Sequence, residues 1–129
     1  MPRKAVVIDD DAVTVTLMTR FLSAAGFEVV SAADGEVGLQ CVFREKPDLV
    51  LTDLLIPRLD GIGVCAKIKA DPGLGGVKLV IITAVKNYAI QNEARNCGAD
   101  IVLEKPITRE MLKAALTRLF PVPGTLPTQ

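Results

Sequence analysis

Short β-branched apolar runs alternate along this chain with longer segments in which apolar residues recur every three or four positions. The runs fall at about 4 to 9, 28 to 31, 48 to 53, 78 to 82 and 101 to 104 and predict five strands. The segments between them predict helices. In the first, Val13, Leu17, Phe21, Leu22 and Ala25 share one stripe, and Gly26 stands where a C-terminal cap belongs. Asp34-Gly35-Glu36 reads as a second helix start with Asp34 as N-cap and Val37, Cys41 and Val42 behind it; a hairpin at Asp34-Gly35 is the alternative, but no alternating strand follows. Gly61 to Ala70 carries Ile62, Cys65 and Ile68 at helical spacing, and Asp71-Pro72-Gly73 and Gly75-Gly76 then break the pattern. A fourth helix from about Asn87 to Cys97 turns Ile90, Ala94 and Cys97 inward and ends at Gly98. Thr108 caps a fifth, with Met111, Leu112, Ala115, Leu116 and Leu119 in phase. Strand and helix repeating in this way predict an α/β domain with a doubly wound, five-stranded parallel sheet.

Four of the runs end in groups suited to phosphoryl chemistry. Val6-Val7-Ile8 leads into Asp9-Asp10, Leu49-Val50-Leu51 into Asp53, Leu79 to Ile82 into Thr83, and Ile101-Val102-Leu103 into Lys105. Parallel strands place their carboxyl ends along one edge, where open α/β sheets bind ligands, so these residues should share a crevice. Two charges about 4 Å apart repel by roughly 4 kcal/mol at an effective dielectric near 20, so three carboxylates together demand positive charge. One divalent ion and Lys105 balance them, and an all-oxygen donor set with room for water suits Mg2+. In such a site Asp53 can act as a nucleophile toward phosphorus, while Lys105 and Thr83 cradle the phosphoryl oxygens. Singly, each residue has an ordinary reading as a helix cap, a solvated acid or a surface ion pair.

Composition narrows the chemistry. With 129 residues, half of them apolar, the chain holds one domain with a buried core, expected over 1–120, followed by a Pro-rich tail or linker start over 121–129. Fifteen basic and fifteen acidic residues give zero formal charge and no basic block, which argues against direct nucleic-acid binding. No apolar stretch is long enough to span a bilayer and the start Met1 to Ala5 lacks a signal-peptide pattern, so a soluble cytoplasmic protein without a membrane partner is expected. The absence of histidine removes a Ser-His-Asp triad, a histidine metal ligand and a phosphohistidine donor within the chain. Cys41, Cys65 and Cys97 read as small apolar residues; a catalytic thiol would lack its histidine.

Taken together, Val7-Ile8-Asp9-Asp10-Asp11, Asp53 through Gly61, Ile82-Thr83-Ala84, Gly98-Ala99-Asp100 and Lys105-Pro106 resemble the receiver domain of two-component response regulators over positions 4 to 120. The resemblance implies a flavodoxin-like (βα)5 fold with strand order 2-1-3-4-5. It makes Asp53 the phosphoacceptor, Asp10, Asp53 and the Leu55 carbonyl direct Mg2+ ligands, Asp9 a ligand through water, and Thr83 and Lys105 the phosphoryl-binding pair. It implies a cis peptide at Lys105-Pro106, a sensor histidine kinase or histidine phosphotransfer protein as donor, and a downstream protein target or fused output domain, with a phosphorylation-dependent homodimer among the arrangements it allows. No enzyme is expected beyond self-phosphorylation and dephosphorylation. Two departures stand out: Val102 occupies the switch position where the family often has an aromatic residue, and Ile107 replaces a common Phe. Leu55 and Val85, apolar beside the phosphoryl position, should hinder an attacking water.

Three other readings compete. A haloacid-dehalogenase-like phosphohydrolase needs a second Asp two residues after the nucleophile, where this chain has Leu55. A dinucleotide site could cite Gly61-Ile62-Gly63-Val64-Cys65-Ala66, but no acid lies near the end of the next strand to take a ribose hydroxyl. A receiver-fold binding module that is never phosphorylated is the remaining alternative, against which all five site residues count.

Overall fold

A computed structural model describes residues 3–121; the tail expected from 121 lies, from 122 onward, outside the described residues. The elements follow in the order β1 (Arg3–Ile8), α1 (Ala12–Ala24), β2 (Phe27–Ala32), α2 (Gly35–Glu45), β3 (Leu49–Asp53), α3 (Gly61–Ala70), β4 (Lys78–Thr83), α4 (Tyr88–Asn96), β5 (Ile101–Glu104) and α5 (Arg109–Leu119). A single turn of 3-10 helix, Pro72–Leu74, precedes β4. The five strands are parallel and pair in the order β2-β1-β3-β4-β5.

Both faces of the sheet are covered, which is why its central strands carry continuous apolar runs, Ala5 to Ile8, Leu49 to Leu51 and Leu79 to Ile82, rather than alternating. Val6, Ile8, Val50, Leu79 and Ile81 face a core shared with α2, α3 and α4, through Val42, Val64, Ile68 and Ala94 among others. Ala5, Val7, Leu49, Leu51, Val80 and Ile82 point the other way, onto Met18 and Leu22 of α1 and Leu112 and Ala115 of α5. The helix starts are set locally: Asp34, Asn87 and Thr108 each accept the backbone N–H three residues on, closing the first turn.

One stripe differs from expectation. Val13 is 67% and Leu17 40% exposed, whereas Met18 and Leu22 carry the α1 contact with the sheet. Two apolar rows run along this helix, and only one can face the core; the Val15-Met18-Leu22 row does so, rotating Val13 and Leu17 to solvent. Val37 likewise turns outward from α2, leaving Leu39, Cys41 and Val42 inside.

Two glycines separate crowding from backbone conformation. A Cβ on Gly35 would overlap the carbonyl oxygen of Leu59, whose loop packs over the start of α2, while Gly26 has open space but a φ of +94°. Gly35→Ala should therefore cost about 3 kcal/mol by steric displacement and Gly26→Ala only about 1 kcal/mol by strain. Urea unfolding of both variants checks the order; equal midpoints would contradict the packing of the 57–59 loop on α2.

Candidate functional site

The register builds the site at the carboxyl edge. Ile8 lies opposite Thr52, so Asp9 is level with Asp53 on the neighbouring strand. Asp53 faces Ile82, and Thr83 faces Glu104, which puts Thr83 and then Lys105 one step further along the same rim. Asp9 stands just past the end of β1, yet its N–H still donates to Ala32 across the sheet at 3.0 Å, so its position is fixed as firmly as a strand residue.

The carboxylates converge as expected. One oxygen from each of Asp9, Asp10 and Asp53 lies within 4.8 Å of the others. Asp9 and Asp53 are buried and Asp10 is exposed. Lys105 Nζ bridges the two buried acids, 3.0 Å from Asp9 Oδ2 and 3.0 Å from Asp53 Oδ2. The remaining oxygens are held by backbone: Asp9 Oδ1 accepts the N–H of Asp11 at 2.9 Å, and Asp53 Oδ1 accepts that of Leu55 at 3.4 Å. Thr83 is fully buried at the next strand end, and its Oγ1 accepts the Val85 N–H at 2.9 Å, which leaves the hydroxyl proton free to donate. The Lys105-Pro106 peptide is cis.

Leu55 and Val102 stand apart from this polar group. Leu55 is 64% exposed and meets the site through its backbone N–H. Val102 packs against the core beneath α4. Two residues absent from the sequence reading enter here: buried Gln91, whose Nε2 donates to the Val85 carbonyl at 2.9 Å, and Glu104, which receives the same nitrogen at 2.6 Å. The available signal was a glutamine lying beside the apolar row Ile90, Ala94, Cys97 of α4.

Burial pushes the Asp53 carboxyl above its ordinary range; the hydrogen bond from Lys105 opposes this, and the charge of Asp9 adds to it. Burial also pulls the Lys105 ammonium down, but its hydrogen bonds to Asp9 and Asp53 outweigh that, and the net shift is upward. Three carboxylates against one ammonium leave the site doubly negative, the charge that a divalent cation cancels.

This geometry stands beside clear likenesses. Residues 5–117 match the model of the response regulator receiver domain. The chain belongs to that family. It is 33% identical over 118 residues to the "Probable chemotaxis protein CheY" of Rhizobium etli, covering 91% of this chain and 92% of that protein. It is 36% identical over 113 residues to the "Probable transcriptional regulator ycf27" of Porphyridium aerugineum, covering 88% of this chain but only 46% of the relative's length. A solved receiver domain of a Pseudomonas aeruginosa sensor histidine kinase, with a magnesium ion coordinated in its active site cleft, superposes with a TM-score of 0.83 at 25% identity, covering 92% of this chain and 98% of that one. The flavodoxin-like order β2-β1-β3-β4-β5 is that of the receiver fold, and the chain is a phosphoacceptor receiver of the two-component type. Among the described residues no helix is long and apolar enough to cross a membrane.

The charge balance has a measurable sign. The folded value of Asp53 lies above its unfolded value near 3.8, so its contribution to stability is present below that pH and lost as pH rises through the folded value. For Lys105 the favourable contribution is present below 10.5 and lost only above it. In metal-free buffer Asp53→Asn should therefore melt at a higher temperature than the parent at pH 7, with the difference closing as pH falls below 3.8. Calorimetry across that range checks it; equal Tm at pH 7 would contradict an energetically costly ionised Asp53.

Proposed function

We propose that Asp53 is the phosphoacceptor and that Asp9, Asp10, Asp53 and the Leu55 carbonyl hold the Mg2+ that receivers use. The single observation that supports this most directly is the Lys105 ammonium suspended between Asp9 and Asp53. The three carboxylates span a distance that a small oxygen-ligated ion bridges when some ligands act through water, and their net charge with Lys105 matches a dication. When bound, such an ion neutralises charge on the transferred group.

In the reaction an oxygen of ionised Asp53 forms a bond to phosphorus as the phosphorus–nitrogen bond of a partner's phosphohistidine breaks and the imidazole leaves. The phosphohistidine is assigned, as the family likeness implies, to a sensor histidine kinase or a histidine phosphotransfer protein; none of these 129 residues is a histidine. Lys105 holds the carboxylate in place at 3.0 Å and then neutralises a phosphoryl oxygen. Thr83 donates its free proton to another. Phosphorylation replaces one negative charge by about two, and the added charge draws Thr83 and Lys105 inward, changing the surface made by α4, β5 and α5. That surface addresses a downstream protein, an output domain fused beyond the receiver at 1–120, or a second phosphorylated copy. The protein acts in the cytoplasm and catalyses only the gain and loss of its own phosphoryl group.

Incubation with acetyl phosphate and Mg2+ followed by intact mass measurement should show the gain of one phosphoryl group, abolished by Asp53→Asn. In the same preparation Mg2+ at about 100 times its Kd should add about 2.7 kcal/mol of stability, most of it lost in Asp10→Asn. No mass gain with either the small donor or a kinase would favour a receiver fold that binds partners without being phosphorylated.

The family likeness sets Leu55 and Val85, both apolar, at positions flanking the phosphoryl group, where a hydrolytic water would lack a polar anchor. Leu55→Asn should shorten the acyl-phosphate lifetime several-fold while leaving Mg2+ affinity unchanged, as followed by the decay of the phosphorylated mass. An unchanged lifetime would remove Leu55 as the barrier to water.

A further inference from the structure

Gln91 is a polar side chain buried on a helix that otherwise turns small apolar residues inward, and it has a defined task. Its Nε2 donates to the Val85 carbonyl at 2.9 Å and to Glu104 Oε1 at 2.6 Å. Both partners are acceptors, so only the amino end of the amide can face them. The Val85 N–H in turn donates to Thr83 Oγ1, and the Lys105 N–H donates to the Thr83 carbonyl at 2.8 Å. Because Glu104 and Lys105 are consecutive, these bonds close a ring that runs from the Thr83 hydroxyl through Val85, Gln91 and Glu104 and back to Thr83. The Thr83 hydroxyl is in that ring, and Lys105 joins it through its backbone N–H while its ammonium reaches Asp9 and Asp53.

We infer that Gln91 and Glu104 are positioning residues, a polar latch that holds the β4-α4 loop and the Thr83 hydroxyl in the resting arrangement. Position 102 offers no aromatic side chain for such a role; Val102 is half-buried against the core. The inference rests on the phosphoacceptor reading above. When Thr83 turns to a phosphoryl oxygen on Asp53, Val85 N–H loses its acceptor and the loop shifts. The Val85 carbonyl then leaves Gln91, and α4 is freed from β5. The latch stabilises only the resting state, so weakening it biases the protein toward the phosphorylated arrangement.

Gln91→Met keeps the length of the side chain and removes the donor; Glu104→Ala removes the acceptor from an exposed position; Glu104→Gln retains an acceptor oxygen. Amide exchange and acetyl phosphate uptake in Mg2+ are measured on all three and on the parent. In the resting protein, Gln91→Met and Glu104→Ala should speed exchange of the Val85 amide by about tenfold and phosphoryl uptake several-fold, while the amides of β1 and β3 exchange as in the parent. Glu104→Gln should stay within about twofold of the parent on both counts. Val85 exchange unchanged in Gln91→Met and Glu104→Ala, or equally fast in all three variants, would overturn the latch. If the parent gains no phosphoryl mass, the phosphoacceptor reading fails and with it the release step. A normal mass gain with unaltered Val85 exchange in Gln91→Met sinks the latch alone.

Discussion

Two carboxylates side by side at the end of a parallel sheet constitute the constraint around which the rest of this molecule is arranged. Asp9 and Asp53 lie on neighbouring strands, both buried, and neither can stay charged there without a cation between them. The cation comes from the residue just past β5, a strand two places from β3 and so about 9.6 Å away at the usual spacing. Only a long side chain bridges that gap, and Lys105 does so with its stem buried along the rim and its ammonium 3.0 Å from each acid. A sheet that set β5 further from β3 and β1 would strand the ammonium, so the site chemistry depends on the strand order.

The same constraint explains why the site is both costly and ready. Burial raises the Asp53 carboxyl, which is unfavourable for folding at neutral pH, yet a partly desolvated carboxylate with an ammonium already in place needs little rearrangement to receive a phosphoryl group. One positive charge against three negative ones leaves the crevice short of cations. A dication held there would act on stability and reactivity through one deficit, and the fold tolerates that deficit because the cores on both sheet faces are apolar and closely packed.

Much of this was legible in the chain. Central parallel strands must be apolar throughout, so Val6-Val7-Ile8 and Leu79 to Ile82 announced themselves, and the polar residue ending each run marked the rim. Caps were legible for the same local reason: Asp34 and Thr108 close turns three residues away. Strand order was not readable from periodicity, since pairing is non-local, and it came from the resemblance of the motifs. The α1 stripe was misplaced in its first half: Phe21 and Leu22 pack inward as expected, but two apolar rows compete earlier on that helix, and only the third dimension selects Met18 over Val13 and Leu17. The pairing of Gln91 with Glu104 was not legible: a glutamine beside the apolar row of α4 was the one signal, and its partner lies thirteen positions away in a different element.

That pair also bears on how a receiver lacking an aromatic at position 102 converts charge into shape. Apolar packing weakens gradually as surfaces separate, because many small contacts are lost one after another. A hydrogen bond is lost abruptly: the Gln91 to Val85 bond, 2.9 Å at rest, is gone after a displacement of about 1 Å. The Thr83 hydroxyl, tied to the same residue through its N–H, is placed to deliver a displacement of that size when it turns to a phosphoryl oxygen. A polar latch thus gives a threshold where an aliphatic side chain alone would give a slope, and Val102, held in the core, can stay where it is while α4 moves.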